Sequence, residues 1–124
     1  MNNERKVILV VDDHQGILDT IEMLFSDEFE VILALDAAQA LEVLRDIEPD
    51  MIFLDYMMPG FNGIQLLREI KQMHLGSKIV VVTASVLDEI LDEVQWLGVD
   101  GLVRKPFDVA QIMNFTEDLI QQAS

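Results

Sequence analysis

The chain contains no cysteine, which excludes disulfides, thiolate zinc sites and cysteine nucleophiles together. That absence is compatible with a reducing, cytoplasmic setting, the localisation expected here. Cations are scarce: eight Lys and Arg stand against 23 Asp and Glu, a formal net charge of −15. Nucleic acids and anionic membranes demand clustered cations to meet their phosphates, and no segment supplies such a cluster, so neither is expected as a direct partner. Long apolar runs are also missing. The first run, Val7 to Val11, is stopped by two aspartates and is too short for a signal sequence or a membrane span. The three prolines and six glycines are scattered and form no linker or low-complexity tract.

What remains is a chain of 124 residues, 51% of them hydrophobic, which suits one domain with a substantial core. Short, nearly continuous apolar runs alternate with segments of helical period. The runs at Val7 to Val11, Met51 to Leu54 and Ile79 to Val82 read as strands covered on both faces, because half-exposed strands would alternate. Two weaker strands fit at Glu30 to Leu35 and Asp100 to Arg104. Between them lie five helical segments. Ile17, Ile21, Leu24 and Phe25 share an apolar face, with Asp19 and Glu22 turned outward. Asp36 is placed to cap a helix over Ala37 to Ile47. A third helix spans Ile64 to Met73 and ends near Gly76. The acidic fourth runs from Val86 to Leu97, closed by Gly98. The fifth opens at Asp108 and turns Val109, Ile112, Met113, Leu119 and Ile120 inward. Strand–helix alternation of this kind implies right-handed crossovers and a parallel sheet. The expected fold is an α/β, flavodoxin-like doubly wound sandwich with strand order 2-1-3-4-5 and helices on both faces.

Ligands of such sheets bind beyond the carboxyl ends of the strands. There the first strand delivers Asp12 and Asp13, the third Asp55, the fourth Thr83 and the fifth Lys105. Three carboxylates drawn together repel unless positive charge compensates. Lys105 supplies one charge and a divalent cation the rest. Mg²⁺ takes few protein carboxylates, keeps several waters and accepts phosphoryl oxygens. An all-oxygen site without His or Cys argues against zinc or copper. With Mg²⁺ bound, Asp55 can attack phosphorus to form an acyl phosphate, and Thr83 can donate its hydroxyl to a phosphoryl oxygen. A new dianion at Asp55 would then draw Thr83 and Lys105 inward and move their loops.

Asp12-Asp13 after a hydrophobic strand, Asp55-Tyr56-Met57-Met58-Pro59-Gly60-Phe61-Asn62-Gly63, Thr83-Ala84 and Lys105-Pro106-Phe107 together resemble the signature set of bacterial two-component receiver domains of the chemotaxis or phosphorelay type. The resemblance covers essentially the whole chain and implies a single receiver domain over residues 1–124 with no output domain. It implies that Asp55 accepts a phosphoryl group from a sensor histidine kinase or a histidine phosphotransfer protein. It also implies that Asp13 binds Mg²⁺ directly and Asp12 through water, with the Met57 backbone carbonyl completing the protein ligands. Thr83 would be the switch hydroxyl, Lys105 the phosphoryl-binding cation, and Lys105-Pro106 a cis bond. Such a protein is not an enzyme acting on others; it catalyses its own phosphorylation and dephosphorylation and signals to a downstream output domain or target protein.

Several positions modulate this expectation. The family usually carries Tyr or Phe three residues before the lysine, where this chain has Leu102, so backbone shifts around Thr83 to Leu87 are expected to carry the signal through the surface of the fourth helix, fifth strand and fifth helix. Met57 and Ser85 occupy the positions that tune phosphoryl lifetime; Met57 cannot orient water, which favours slow decay. His14 is read as the residue that begins the first helix rather than as a ligand, and His74 as solvated. The seven methionines are read as core and loop packing. Asp88, Glu89, Asp92 and Glu93 read as a solvated helix face. Trp96 points away from Leu87 and Val94 and, with Phe115, marks a candidate partner surface. Two enzymatic or redox rivals fit poorly. A haloacid-dehalogenase-like phosphatase needs Asp-x-Asp after its first strand, and a flavodoxin needs a Gly-rich phosphate loop where Asp12-Asp13-His14-Gln15 stands. The alternative that survives is a phosphorylation-independent, receiver-like protein-binding module.

Overall fold

Alternate residues of the central strands point to opposite faces of one sheet, and both sets are buried. In a computed structural model, which describes residues 5–58, 61–83, 88–104 and 109–123, the strands β1 (Val7–Val11), β2 (Glu30–Ala34), β3 (Met51–Asp55), β6 (Lys78–Thr83) and β7 (Gly101–Arg104) pair in parallel in the order β2-β1-β3-β6-β7. Counting these five strands alone, this is the expected order 2-1-3-4-5. A further two-stranded antiparallel pair, β4 (Met57–Met58) with β5 (Phe61–Asn62), follows β3 directly. Its brevity hid it from periodicity. Lys105 and its bond to Pro106, Ser85, Pro59-Gly60 and the expected helix starts at Val86 and Asp108 lie outside the described residues, as do the side chains of Ile17, Met57, Val109 and Ile120.

The helices are α1 (Gln15–Phe25), α2 (Ala37–Asp46), α3 (Gly63–Gln72), α4 (Asp88–Trp96) and α5 (Val109–Ala123). Leu9, Ile52, Leu54 and Val81 pack with Ala40 and Leu44 of α2, Leu67 and Ile70 of α3 and Val94 of α4. Ile8, Val10, Phe53 and Val80 pack with Leu18, Ile21 and Phe25 of α1 and Ile112 and Leu119 of α5. Phe25 stacks on Phe53 with ring centroids 6.4 Å apart and meets Phe29 edge-on at 5.7 Å. This doubly covered sheet is why the strands read as unbroken apolar runs.

Local chemistry sets the helix ends. The Asp36 side chain accepts from the Gln39 N–H at 2.8 Å, the expected cap of α2. Gly98, at φ +79°, follows α4 in the left-handed region and donates to the Gln95 carbonyl. Helix α3 ends at Gln72, within one residue of the expected Met73. The left-handed turn falls on His74, at φ 55°, a conformation that glycine normally supplies. Buried Thr116 satisfies its hydroxyl by donating to the Ile112 carbonyl at 2.8 Å, which lets a polar residue sit on the inner face of α5.

Candidate functional site

Register places the acidic residues. Val11 pairs with Leu54 and Asp55 with Val82, so Asp12 emerges beside Asp55, and Thr83 lies one residue past the partner of Asp55. Tyr56 extends the ladder by donating its N–H to the Val82 carbonyl at 2.9 Å, and Asp12 does the same to Ala34 at 3.1 Å. Asp12, Asp55 and Thr83 are all buried. They are polar side chains held at the carboxyl ends of the three central strands, the place expected for ligands of a doubly wound sheet.

Asp12, Asp13 and Asp55 each direct a carboxylate oxygen into one cluster, and His14 joins them; the four donor atoms lie within 4.8 Å of one another. His14 precedes α1 and its side chain makes no cap hydrogen bond. Its backbone N–H donates to Asp12 Oδ1 at 2.9 Å. Its ring Nδ1 stands 3.0 Å from Asp12 Oδ1, 3.1 Å from Asp13 Oδ1 and 4.0 Å from Asp55 Oδ2. An imidazole nitrogen thus lies among the three carboxylates of the rim. The short link from Asp13 into the helix leaves the ring over the rim with its outer edge in solvent.

The cluster suits a divalent cation on a further ground. Asp13 Oδ1 is buried and accepts no hydrogen bond, and a buried carboxylate oxygen without a partner is costly unless a cation completes it. Just beyond, the β4–β5 pair holds the backbone of Met57 opposite Asn62. Gly63 closes that pair so tightly on the Tyr56 backbone that a side chain there would collide with the Tyr56 carbonyl. Tyr56 is half-buried, and its phenol is pushed above its ordinary pKa of 10.0 by burial and by the nearby Glu93 carboxylate, with Arg68 opposing. Arg68 of α3 pairs with Glu93 of α4 at 2.9 Å, so part of the acidic run on α4 ties two helices together rather than only facing water.

The outer positions resolve differently. Leu102 is half-buried against the α2–α3–α4 core. Phe115 packs on the opposite core, its ring occupying the space where a side chain at Gly101 would go. Trp96 is 87% exposed, as its helical phase implied. Met51 is core, as read, but Met23 is 74% exposed and fills nothing.

Residues 8–117 match the family model for the response regulator receiver domain. This chain belongs to that family. The receiver domain is 28% identical over 116 residues to the chemotaxis protein CheY of Halobacterium salinarum, covering 93% of this chain and 97% of that protein. It is 32% identical over 113 residues to the sporulation initiation phosphotransferase F of Bacillus subtilis, covering 90% of each. Its fold superposes on a CheY-like receiver domain from Methanospirillum hungatei with a TM-score of 0.91 at 23% identity, covering 97% of both chains. The protein is thus a response-regulator receiver of the CheY type, a component of two-component signalling. Among the described residues, no helix is long and apolar enough to cross a membrane.

Proposed function

We propose that this receiver domain takes a phosphoryl group onto Asp55 from a phosphohistidine of a sensor kinase or histidine phosphotransfer protein, in a Mg²⁺-dependent reaction, and later loses it to water. The observation that carries the reading is the unpartnered, buried Asp13 Oδ1 within a cluster of three carboxylates at the sheet's carboxyl rim. Asp13, Asp55 and the Met57 backbone carbonyl would hold the cation directly, and Asp12 through water. When bound, the ion would offset the charge of the carboxylates and of the incoming phosphoryl oxygens.

The residues themselves divide the work. An Asp55 carboxylate oxygen forms the new bond to phosphorus as the bond from phosphorus to the donor imidazole nitrogen breaks, leaving that imidazole to take up a proton. Burial of Asp55 holds the nucleophile in one orientation and limits water around it. Thr83, buried on the neighbouring strand, donates its hydroxyl to a phosphoryl oxygen. Lys105, the residue after β7, supplies the cation on the strength of the sequence pattern. The pull on Thr83 is passed to the segment after it and so to the α4–β7–α5 surface, where Leu102 substitutes packing for an aromatic swing. Met57, without a hydrogen-bonding side chain, and Ser85 set how fast water removes the group. A cytoplasmic location fits a kinase partner of this kind.

Intact mass after incubation with acetyl phosphate and Mg²⁺ tests the reading. Wild type is expected to gain one phosphoryl group, and Asp55→Asn or wild type with EDTA to gain none. A folded, Mg²⁺-supplied wild type that gains nothing would instead make the chain a phosphorylation-independent binding module.

A further inference from the structure

The imidazole of His14 is the one member of the rim cluster that the phosphoryl-transfer reading leaves without a task, and its placement is specific. For an octahedral ion with bonds of about 2.1 Å, neighbouring ligand atoms stand about 3.0 Å apart and opposite ones about 4.2 Å. His14 Nδ1 lies 3.1 Å from Asp13 Oδ1, the spacing of neighbours, and 4.0 Å from Asp55 Oδ2, close to that of an opposite pair, while a 3.0 Å hydrogen bond to Asp12 Oδ1 holds the ring there. The contact between Nδ1 and Asp13 Oδ1 has the distance of a hydrogen bond, yet Asp13 Oδ1 accepts none. Without an ion the ring nitrogen is instead hydrogen-bonded to Asp12 Oδ1, which holds it beside Asp13 Oδ1. The His14 side chain is 59% exposed, so water can meet its second nitrogen while Nδ1 turns inward.

We propose that His14 Nδ1 is a direct ligand of the divalent ion, converting an oxygen-only receiver site into a mixed nitrogen–oxygen site that favours borderline first-row ions such as Ni²⁺ relative to Mg²⁺. The chemistry is that of ligand softness. Imidazole adds little to the binding of a hard, strongly hydrated ion such as Mg²⁺ and much to that of Ni²⁺, Co²⁺ or Zn²⁺. The inference rests on the metal site proposed above and extends it to this chain's own selectivity. Loss of the ring should leave the fold intact, because His14 makes no side-chain cap bond to α1.

Isothermal titration calorimetry of the metal-free full chain with MgCl₂ and, separately, NiCl₂ tests it, using wild type, His14→Ala and His74→Ala, the last because His74 is the only other histidine. Ni²⁺ affinity is expected to fall about tenfold or more in His14→Ala and to hold in His74→Ala, while Mg²⁺ affinity changes less than about twofold. In wild type, sub-stoichiometric Ni²⁺ should broaden the His14 ring proton signals before those of His74, a readout independent of any variant's folding. Equal responses of the two ions to His14→Ala, or unchanged Ni²⁺ affinity, overturn the proposal. Wild-type protein that binds neither ion would remove the metal site altogether, whereas Mg²⁺ binding with His14-independent Ni²⁺ binding removes only this inference.

Discussion

Asp50 and Asp100 make the same pair of bonds at two places in the sheet. Asp50 donates its N–H to the Val7 carbonyl and accepts the Val7 N–H on Oδ2, both at 2.8 Å; Asp100 does the same to Ile79, again at 2.8 Å. Each aspartate stands just before a strand and fastens it to the start of the next, so β3 is pinned to β1 and β7 to β6. Removing either carboxylate strands a backbone N–H at the sheet's amino end. Asp50→Ala and Asp100→Ala are each expected to cost about 1–2 kcal/mol, read as a lowered urea midpoint with an unchanged slope. The lysines 3.9 Å away, Lys6 and Lys78, are partly exposed and contribute little, so Lys6→Ala should leave the midpoint nearly where it is.

Gly63 is a stronger constraint than its small side chain suggests. With the Tyr56 carbonyl where a Cβ would go, Gly63→Ala must push the β4–β5 pair away from the start of α3. The expected outcome is a loss of about 1–3 kcal/mol in stability and, because Met57 moves with that pair, weaker Mg²⁺ binding. A variant that melts lower but binds Mg²⁺ with wild-type affinity would separate Met57 from the metal.

On the proposed ligand roles, Asp13→Asn acts in opposite directions with and without metal. Metal-free, it removes one of three mutually repelling carboxylates and should melt at or above wild type. Wild type at a Mg²⁺ concentration 100 times its Kd should gain about 2.7 kcal/mol, and the variant far less. Thermal melts in EDTA and in Mg²⁺ give both numbers; a full Mg²⁺ shift in the variant would clear Asp13 of the role.

Trp96 is nine-tenths in water on a helix whose core contact is made by Val94. Trp96→Ala should therefore change stability by no more than about 0.5 kcal/mol. If the α4 face receives the kinase or an output partner, affinity for that partner should drop by about 1 kcal/mol or more, measured by titration calorimetry. Unchanged affinity would move the interface elsewhere.

The strands, their order and the acidic rim were legible because each rests on a rule that a single chain displays: double burial gives unbroken apolar runs, and parallel strands carry their chemistry at one end. What escaped depended on contacts between distant segments or on a few residues of backbone. Leu24 packs on the core as its phase implied, but fully buried Leu18 was not singled out, because helical phase alone cannot say which flank of a stripe meets the sheet. Thr116 escaped because its hydroxyl is satisfied within its own helix, invisible to a polarity pattern. The end of α3 was legible to within a residue, but the left-handed turn after it falls on His74 rather than on Gly76, the glycine that the sequence pattern favours. His14 begins α1 as its position implied, but the contact of its ring with the rim carboxylates depends on the turn after Asp13, which no pattern shows.

The two ends of the sheet have separate duties. Hydrogen bonds from Asp50 and Asp100 anchor the amino ends, and the clustered carboxylates project from the carboxyl ends. At about 3.3 Å per residue, Asp50 and Asp55 are about 16 Å apart. Changes so far apart combine additively. A descendant lineage can therefore alter the ion, the donor or the signal lifetime at the rim while its tolerance to heat and mutation is inherited unchanged from the opposite edge, and the two traits can drift on independent schedules.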